Sequence, residues 1–391
     1  MSLANWAAGF CIVSLTSHLL SLGIAGWRLR RRSAPAAHGA APAVSVLLPV
    51  CGVDNFAAET LASGFGLDYP DYELIFCIAQ PDDPAVPLVR QLIQSHPHIP
   101  SRLLVGEDRI SRNPKLNNLV KGWNASRLPW VAMVDSNVVM PSDYIQRLLA
   151  RWRADTGAVC SMPIGVRPHN FWAELECAFL NTLQARYQYV AESLGCGFAQ
   201  GKTMLVRREL VERAGGVRAL AGEDAEDAAL TKLVRAAGLK VHLVDAAVAQ
   251  PLGWRSAAQI WARQLRWARL RRITFPWLFA PEILVGSAPP ALAAGLAAWG
   301  YGLGVAAAVA TATALCIAGE MGLAAYAGWH RSWRMPIALL LRDLLLPILW
   351  VGALLGSGFV WRGTEISIAK PHRTGMPARP LNRPAPEASG S

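Results

Sequence analysis

The strongest constraint on this chain is a stretch from Leu3 to Trp27 with no acidic or strongly basic residue, followed at once by Arg28-Leu-Arg-Arg-Arg32. Some 20 apolar residues suffice to cross a bilayer, so the stretch is expected to be a transmembrane helix. A secretory leader carries its positive charge before the apolar run; here it comes after, which reads as an anchor. The positive-inside rule then places the following residues in the cytoplasm. Ser33 to Pro42 is rich in Ala and Pro and reads as a linker.

Hydrophobic residues make up 53% of the 391 positions, and the mean hydropathy is +0.26. That is too apolar for a wholly soluble enzyme of this length, and the excess sits at the two ends. Near the C-terminus, spans are expected at Glu282 to Trp299, Leu303 to Trp329 and Pro336 to Trp361. The last contains Arg342 and Asp343, which must pair or face a cavity. Three spans would leave the tail outside, whereas Arg362, Lys370, Arg373, Arg379 and Arg383 favour the inside. One of the three is therefore expected to be re-entrant or interfacial.

The net charge of +11 calls for an anionic partner. Its arginines cluster beside the apolar segments, at Arg28 to Arg32 and Arg255 to Arg272. That favours lipid phosphates or a nucleotide diphosphate. Basic and aromatic residues do not interleave elsewhere, which argues against nucleic acid. The seven cysteines show no CxxC pairing and read as free thiols in a reducing compartment.

Between Val44 and about Val244, short apolar runs alternate with longer segments of helical spacing. Ser45 to Val50, Tyr72 to Ala79, Arg102 to Val105 and Trp130 to Val134 read as strands buried on both faces. Ala85 to Ser95 and Leu116 to Ala125 read as helices. This alternation predicts a mostly parallel α/β sheet with helices on both faces. Ligands of such sheets bind beyond the carboxyl ends of the strands. Phe171 to Glu192 reads as an amphipathic aromatic helix. Arg255 to Arg272, with six arginines and two tryptophans, reads as a helix lying in the headgroup layer.

Polar clusters follow several of these runs. Asp82-Asp83 serves equally well as a cap in an Asp-Pro turn or as a ligand. Asn113-Pro-Lys115-Leu-Asn-Asn118 is either a plain turn or a helix start holding a base or phosphate. Asp135-Ser136-Asn137 offers a carboxylate and an amide to a divalent ion on a diphosphate, or caps a turn. Glu223-Asp-Ala-Glu-Asp227 is ordinary for a helix N-terminus. Arg263-Gln-Leu-Arg266-Trp267 can grip phosphate oxygens and wall a sugar or lipid head, or form a cationic membrane face.

In this order the clusters resemble the processive and lipid-modifying family-2-type inverting glycosyltransferases, whose fold is GT-A. Those enzymes carry an aspartate after the second strand, a DxD-like group after the fourth, an ED pair and then [Q/R]xxRW. The matching residues are Asp83, Asp135, Glu226-Asp227 and Arg263-Gln-Leu-Arg266-Trp267. Leu67-Asp-Tyr-Pro-Asp-Tyr-Glu73, Asp82-Asp-Pro84, Asn113 to Asn118, Ala225-Glu-Asp227 and Arg266-Trp-Ala-Arg-Leu-Arg271 resemble the ceramide glucosyltransferase branch. Gly106-Glu-Asp-Arg-Ile-Ser111, Asp135-Ser-Asn137, Phe171 to Phe179 and Gly197-Phe-Ala-Gln-Gly-Lys202 are similar to bacterial hopanoid-biosynthesis glycosyltransferases.

The resemblance implies an inverting hexosyltransferase that moves a sugar from a UDP-sugar to a membrane lipid. The hopanoid branch implies N-acetylglucosamine on bacteriohopanetetrol at a bacterial inner membrane; the other implies glucose on ceramide. Asp227 would be the base and Glu226 its neighbour. Asp83, Lys115, Asn118, Arg263, Arg266 and Trp267 would hold the nucleotide-sugar, and Asp135 and Asn137 a divalent cation, Mg²⁺ or Mn²⁺. Asn137 departs from the full DxD, which removes one charge from the metal site. A non-catalytic sugar-nucleotide-binding scaffold or transporter would not need the acidic clusters, all of which are present. The expected organisation is an anchor over 1–32, a linker over 33–43, a cytoplasmic GT-A domain over 44–254 and an interfacial helix over 255–280. A membrane or re-entrant region follows over 281–363, then a disordered tail over 364–391.

Overall fold

The computed structural model describes residues 2–30, 41–356, 358–361 and 364–367. Most of the linker, Arg31 and Arg32, and the tail from 368 onward lie outside the described residues. All seven cysteines are free.

Nine strands build the central region: β1 (Val44–Val50), β2 (Tyr72–Ile78), β3 (Ser101–Val105), β4 (Trp130–Val134), β5 (Thr156–Cys160), β6 (Pro163–Pro168), β7 (Thr203–Arg207), β8 (Lys240–Leu243) and β9 (Val248–Gly253). Seven of them form one sheet in the order β3-β2-β1-β4-β7-β5-β8, and β6 pairs with β9 beside it. β1 runs parallel to both β2 and β4, while β7 is antiparallel to its neighbours β4 and β5. The strand order reverses at β1, with β2 and β3 on one side and β4 on the other. The carboxyl ends of β1, β2 and β4 therefore flank the crevice where such sheets bind ligands.

β1 and β4 are buried throughout, as expected of strands covered on both faces. β3 departs from that expectation because it is an edge strand. None of its residues is fully buried, and half-exposed Arg102 reaches Glu73 at 2.6 Å. The Pro114–Ala125 helix starts as its sequence dictates: the Asn113 side chain accepts from the backbone N–H groups of Lys115 and Leu116, with Pro at the first position. Gly122 lets this helix lie on β2, since a Cβ there would sit 2.5 Å from Cys77 Sγ.

The Phe171 to Glu192 segment is more buried than an amphipathic helix. It runs as Phe171–Cys177, a π-helical Ala178–Ala185 and Arg186–Ser193. It is covered because it lies under the apolar C-terminal helices: Ala173, Cys177, Ala178 and Leu180 cluster with Met335, Ala338 and Leu339.

Among the described residues three helices are long and apolar enough to cross a membrane: Leu3–Arg30, Val305–Ala327 and Met335–Leu355. The first expected C-terminal span is instead a pair, Pro276–Leu284 and Ala288–Gly300, bent by 44°. The last ends at Leu355 rather than Trp361, because Gly358–Trp361 pairs antiparallel with Thr364–Ser367. Backbone pairing also makes Thr364–Ser367 a strand, where a disordered tail was expected. Arg342 and Asp343 are buried against Glu320, Arg186 and Thr182.

Arg28 departs from its expected place among lipid headgroups. It is buried and pairs with Glu192 at 2.6 Å and Asp245 at 2.8 Å, docking the first helix onto the sheet region. The cause is charge: burial raises the Glu192 carboxyl, but its bonds to His242 and Arg28 outweigh this and bring it down to about 2.

Candidate active site

The crevice at the sheet's carboxyl edge gathers charged side chains from four segments. Asp135 stands directly after β4, and its backbone N–H donates to Lys202 O. Lys115, in the first turn of the Pro114–Ala125 helix, places its ammonium 2.7 Å from Asp135 Oδ1 and 2.7 Å from Glu226 Oε1. Lys202, just before β7, places its ammonium 2.9 Å from Asp135 Oδ2 and 2.9 Å from Asn137 Oδ1. Burial would raise the Asp135 carboxyl, but the two ammoniums outweigh it and hold Asp135 well below the usual carboxylate range.

Glu226 and Asp227 open the Glu226–Ala236 helix. Glu226 is buried with both oxygens engaged, Oε1 by Lys115 and Oε2 by the Asn113 amide at 2.6 Å. Asp227 is half-buried, and each oxygen accepts one backbone N–H: Gly201 at 2.9 Å and Ala228 at 2.8 Å. One lone pair on each oxygen remains for another donor. Burial first, then the charge of Glu226, raises the Asp227 carboxyl to about 6. That is suited to a group that must take up a proton near neutral pH.

Gly201 knits these groups together. Its N–H meets Asp227 and its carbonyl accepts from Lys115. A Cβ there would lie 2.8 Å from Glu226 Oε1 and 2.9 Å from Lys115 Nζ. No side chain fits.

The other expected residues divide. Asp83 lies after β2 and accepts from the N–H of Gly52, which follows β1, at 2.9 Å and from Ala85 N–H at 2.8 Å. It therefore bridges two strand ends at the crevice and also performs the capping role that its Asp-Pro turn allowed. Asn118 is a brace: its amide donates to Cys77 O at 2.6 Å and Val50 O at 3.3 Å, and its oxygen accepts from Lys121. Arg263 pairs with Glu176, as Arg255 does at 3.2 Å. Trp267 packs on the cluster containing Leu252 and Met335, and Arg266 is half-buried on the same Ala257–Thr274 helix. Asp224 is drawn to Arg112 at 3.0 Å and Glu223 to Lys232 at 2.6 Å.

Sequence reasoning assigned no role to Lys202, Gly201 or Glu176, and included Asn113 only as part of the Asn113–Asn118 cluster. Glu176 left a signal: it is a fully buried carboxylate in the aromatic run Phe171-Trp-Ala-Glu-Leu-Glu-Cys-Ala-Phe179, and a buried charge requires partners. Lys202 ends the Gly197–Lys202 motif, but that motif gave it no role, because only the fold brings the loop before β7 to the end of β4.

Among the described residues no group of three or more His, Cys, Asp or Glu side chains converges as for a metal ion. Asp135 and Asn137 nevertheless fit one end of a divalent-cation site, since their two oxygens already converge on the Lys202 ammonium. One carboxylate and one amide, completed by phosphate oxygens and water, is an ordinary donor set for Mg²⁺ or Mn²⁺.

The sequence profile of Glycosyl transferase family 21 matches residues 11–374. The chain belongs to that family. Ceramide glucosyltransferase 1 of Caenorhabditis elegans is 27% identical over 277 residues, covering 70% of this chain and 59% of that enzyme. The ceramide glucosyltransferase of Komagataella phaffii is 36% identical over 108 residues, 27% of this chain and 21% of that enzyme. The chain thus spans less than two thirds of the length of these relatives. Among solved structures, mannosyltransferase PcManGT from Pyrobaculum calidifontis, in complex with GDP-Man and Mn²⁺, superposes with a TM-score of 0.56 at 18% identity, covering 88% of this chain and 99% of that one. The likeness extends to the fold: a mixed, mostly parallel α/β sheet of GT-A type, here with apolar helices at both ends.

Proposed function

We propose that this chain is an inverting membrane glycosyltransferase that moves a sugar from a UDP-sugar to the hydroxyl of a membrane lipid. The observation that carries the reading is a pair of carboxylates whose affinities for a proton are shifted in opposite directions. Asp227 is raised to about 6 with lone pairs to spare, while Asp135 is held ionised beside Asn137. Lys115, through Glu226, ties the two together. Environments that push neighbouring carboxylates apart assign the base and the charge-holding group.

Asp227 takes the proton of the lipid hydroxyl as its oxygen bonds to the anomeric carbon and the bond from that carbon to the diphosphate oxygen breaks. Glu226 positions Lys115 and raises the basicity of Asp227. Asp135 and Asn137 would hold the divalent cation, which when bound offsets charge on the departing diphosphate. Lys115 supplies positive charge beside it. Asp83 stands where the nucleotide base would lie, at the ends of β1 and β2. Arg263, paired with Glu176, Trp267, packed on the Leu252 cluster, and Arg266 on the same helix would form the wall nearest the membrane helices.

For the substrates, the hopanoid-like motifs favour N-acetylglucosamine from UDP-N-acetylglucosamine onto bacteriohopanetetrol. A second reading, UDP-glucose onto ceramide, is favoured by the similarity to ceramide glucosyltransferases. Incubating membranes with each labelled UDP-sugar and identifying the lipid product by mass spectrometry decides between them. A donor consumed with no glycolipid formed would overturn the proposal. The run of arginines after the first span favours a cytoplasmic side for the catalytic domain, over 44–254, and the interfacial segment, over 255–280. A reporter fused after residue 45 tests this, and periplasmic activity would reverse the orientation.

A further inference from the structure

A cleft of about 370 Å³ lies where three helices meet: Phe171–Cys177 with its π-helical continuation, Ala257–Thr274 and the membrane-length Met335–Leu355. Its walls are almost wholly apolar and include Phe179, Ile260, Trp261, Leu341 and Leu345. Leu341, Leu345 and Leu349 recur every fourth residue, so one face of the membrane helix lines the cleft. Beside them on the same helix Leu344 and Ile348 are both 54% exposed, so the apolar wall runs on into the surface a bilayer would cover.

One polar side chain interrupts this lining. Gln264 is 5% exposed, and its oxygen accepts from the Gln184 amide at 3.3 Å. Among the described residues its own amide nitrogen is buried without a partner. A buried N–H₂ left unpaired is costly unless something that enters the site meets it. Gln264 follows Arg263, whose partner Glu176 sits between the cleft residue Leu175 and Cys177 on the facing helix. The cleft therefore backs directly onto the Arg263–Glu176 pair.

We propose that this cleft holds the hydrocarbon of the acceptor lipid. The Gln264 amide donates to an oxygen near the lipid's polar end, and the chain leaves along Leu341, Leu345 and Leu349 into the bilayer. This rests on the reading of the chain as a transferase acting on a lipid hydroxyl. It adds where that lipid lies, and it selects for a long apolar chain bearing an oxygen close to its head.

The test uses the full-length protein in lipid nanodiscs and a long-chain primary alcohol carrying a mid-chain diazirine. After irradiation, label is expected on peptides from Phe171–Ala185, Ala257–Thr274 and Met335–Leu355. Unlabelled long-chain alcohol should compete it away more effectively than phosphatidylcholine or an alkane of equal length. Leu345→Trp, which fills the cleft, should lower labelling about tenfold while UDP binding is retained. Gln264→Leu should preserve labelling by chain but cut the preference for alcohol over alkane about three- to tenfold, the worth of one hydrogen bond. Label spread evenly over Leu3–Arg30 and Val305–Ala327, equal competition by phosphatidylcholine, or indifference to both substitutions would overturn the site. Because the labelling needs no sugar transfer, the absence of a glycolipid product with labelling intact would count against the proposed reaction alone.

Discussion

The Lys202 ammonium stands midway between Asp135 and Asn137, 2.9 Å from an oxygen of each. Under the proposed function the divalent cation sits between the same two oxygens, so ammonium and metal compete for one seat. Charge-assisted hydrogen bonds contribute about 1.5–3 kcal/mol net. Lys202→Met should therefore tighten Mn²⁺ binding about tenfold or more in the absence of donor. Asp135→Asn should abolish it. Electron paramagnetic resonance of free Mn²⁺ during titration reads both. Equal Mn²⁺ affinity in wild type and Lys202→Met would show that the lysine does not hold that seat.

Buried charge inside the membrane-length helices leads to a second expectation. Arg342 is fully buried and bonds Glu320 at 2.7 and 2.9 Å, Asp343 at 2.6 Å and Thr182 at 2.9 Å. Glu320 also takes Arg186 at 3.2 Å. Removing one member of such a pair leaves an uncompensated charge and costs about 3–5 kcal/mol. Arg342→Met should therefore lower the thermal midpoint in detergent sharply. Combined with Glu320→Met, the loss should fall short of the sum of the single losses, with a coupling of about 1–3 kcal/mol. Strict additivity would mean the two side chains do not interact.

Arg28 and Arg30 end the same helix in different surroundings. Arg28 is enclosed by Glu192, Asp245 and the Leu243 carbonyl, the last at 2.8 Å, whereas Arg30 is exposed. Arg28→Met is expected to cost about 3–5 kcal/mol, and Arg30→Met to stay within about 0.5 kcal/mol. Chemical unfolding of the two variants side by side checks this. Equal small effects would return Arg28 to the headgroup layer.

These contrasts show what the sequence made legible. Strands β1, β2 and β4, the Pro114 helix and the three membrane-length helices were readable because period, caps and uninterrupted apolar length are local properties. The edge position of β3, the burial of Arg28 and the bracing role of Asn118 were not, since each depends on what packs against it. Asp135, Asn137, Lys115 and the Glu226-Asp227 pair could be nominated as strand-end and helix-start polar groups. Lys202, Gly201 and Glu176 join their partners only through contacts between segments far apart in the chain. The pattern-based choice of Arg263 met the same limit: a motif identifies an arginine, but the fold supplied Glu176 as its partner.

The catalytic base offers the sharpest test, because four acids lie within Glu223 to Asp227 and their environments differ. Glu223 pairs with Lys232, Asp224 with Arg112, and Glu226 with Lys115 and Asn113. Among the described residues Asp227 accepts from backbone N–H groups alone, Gly201 and Ala228, and its carboxyl is raised to about 6. A base must be ionised to act, so the rate constant kcat/KM should be level above about pH 6 and fall about tenfold per unit below it. Asp227→Asn should lose about 10²- to 10⁴-fold in transfer while binding UDP-sugar nearly as well, and should abolish that acid limb. Asp224→Asn should keep most activity and the same profile. Glu226→Gln removes the negative charge that helps raise Asp227, so the remaining activity should show its acid limb at lower pH. If instead Asp224→Asn abolished transfer and Asp227→Asn retained it, the base would be Asp224 and its pairing with Arg112 would have to open in the substrate complex.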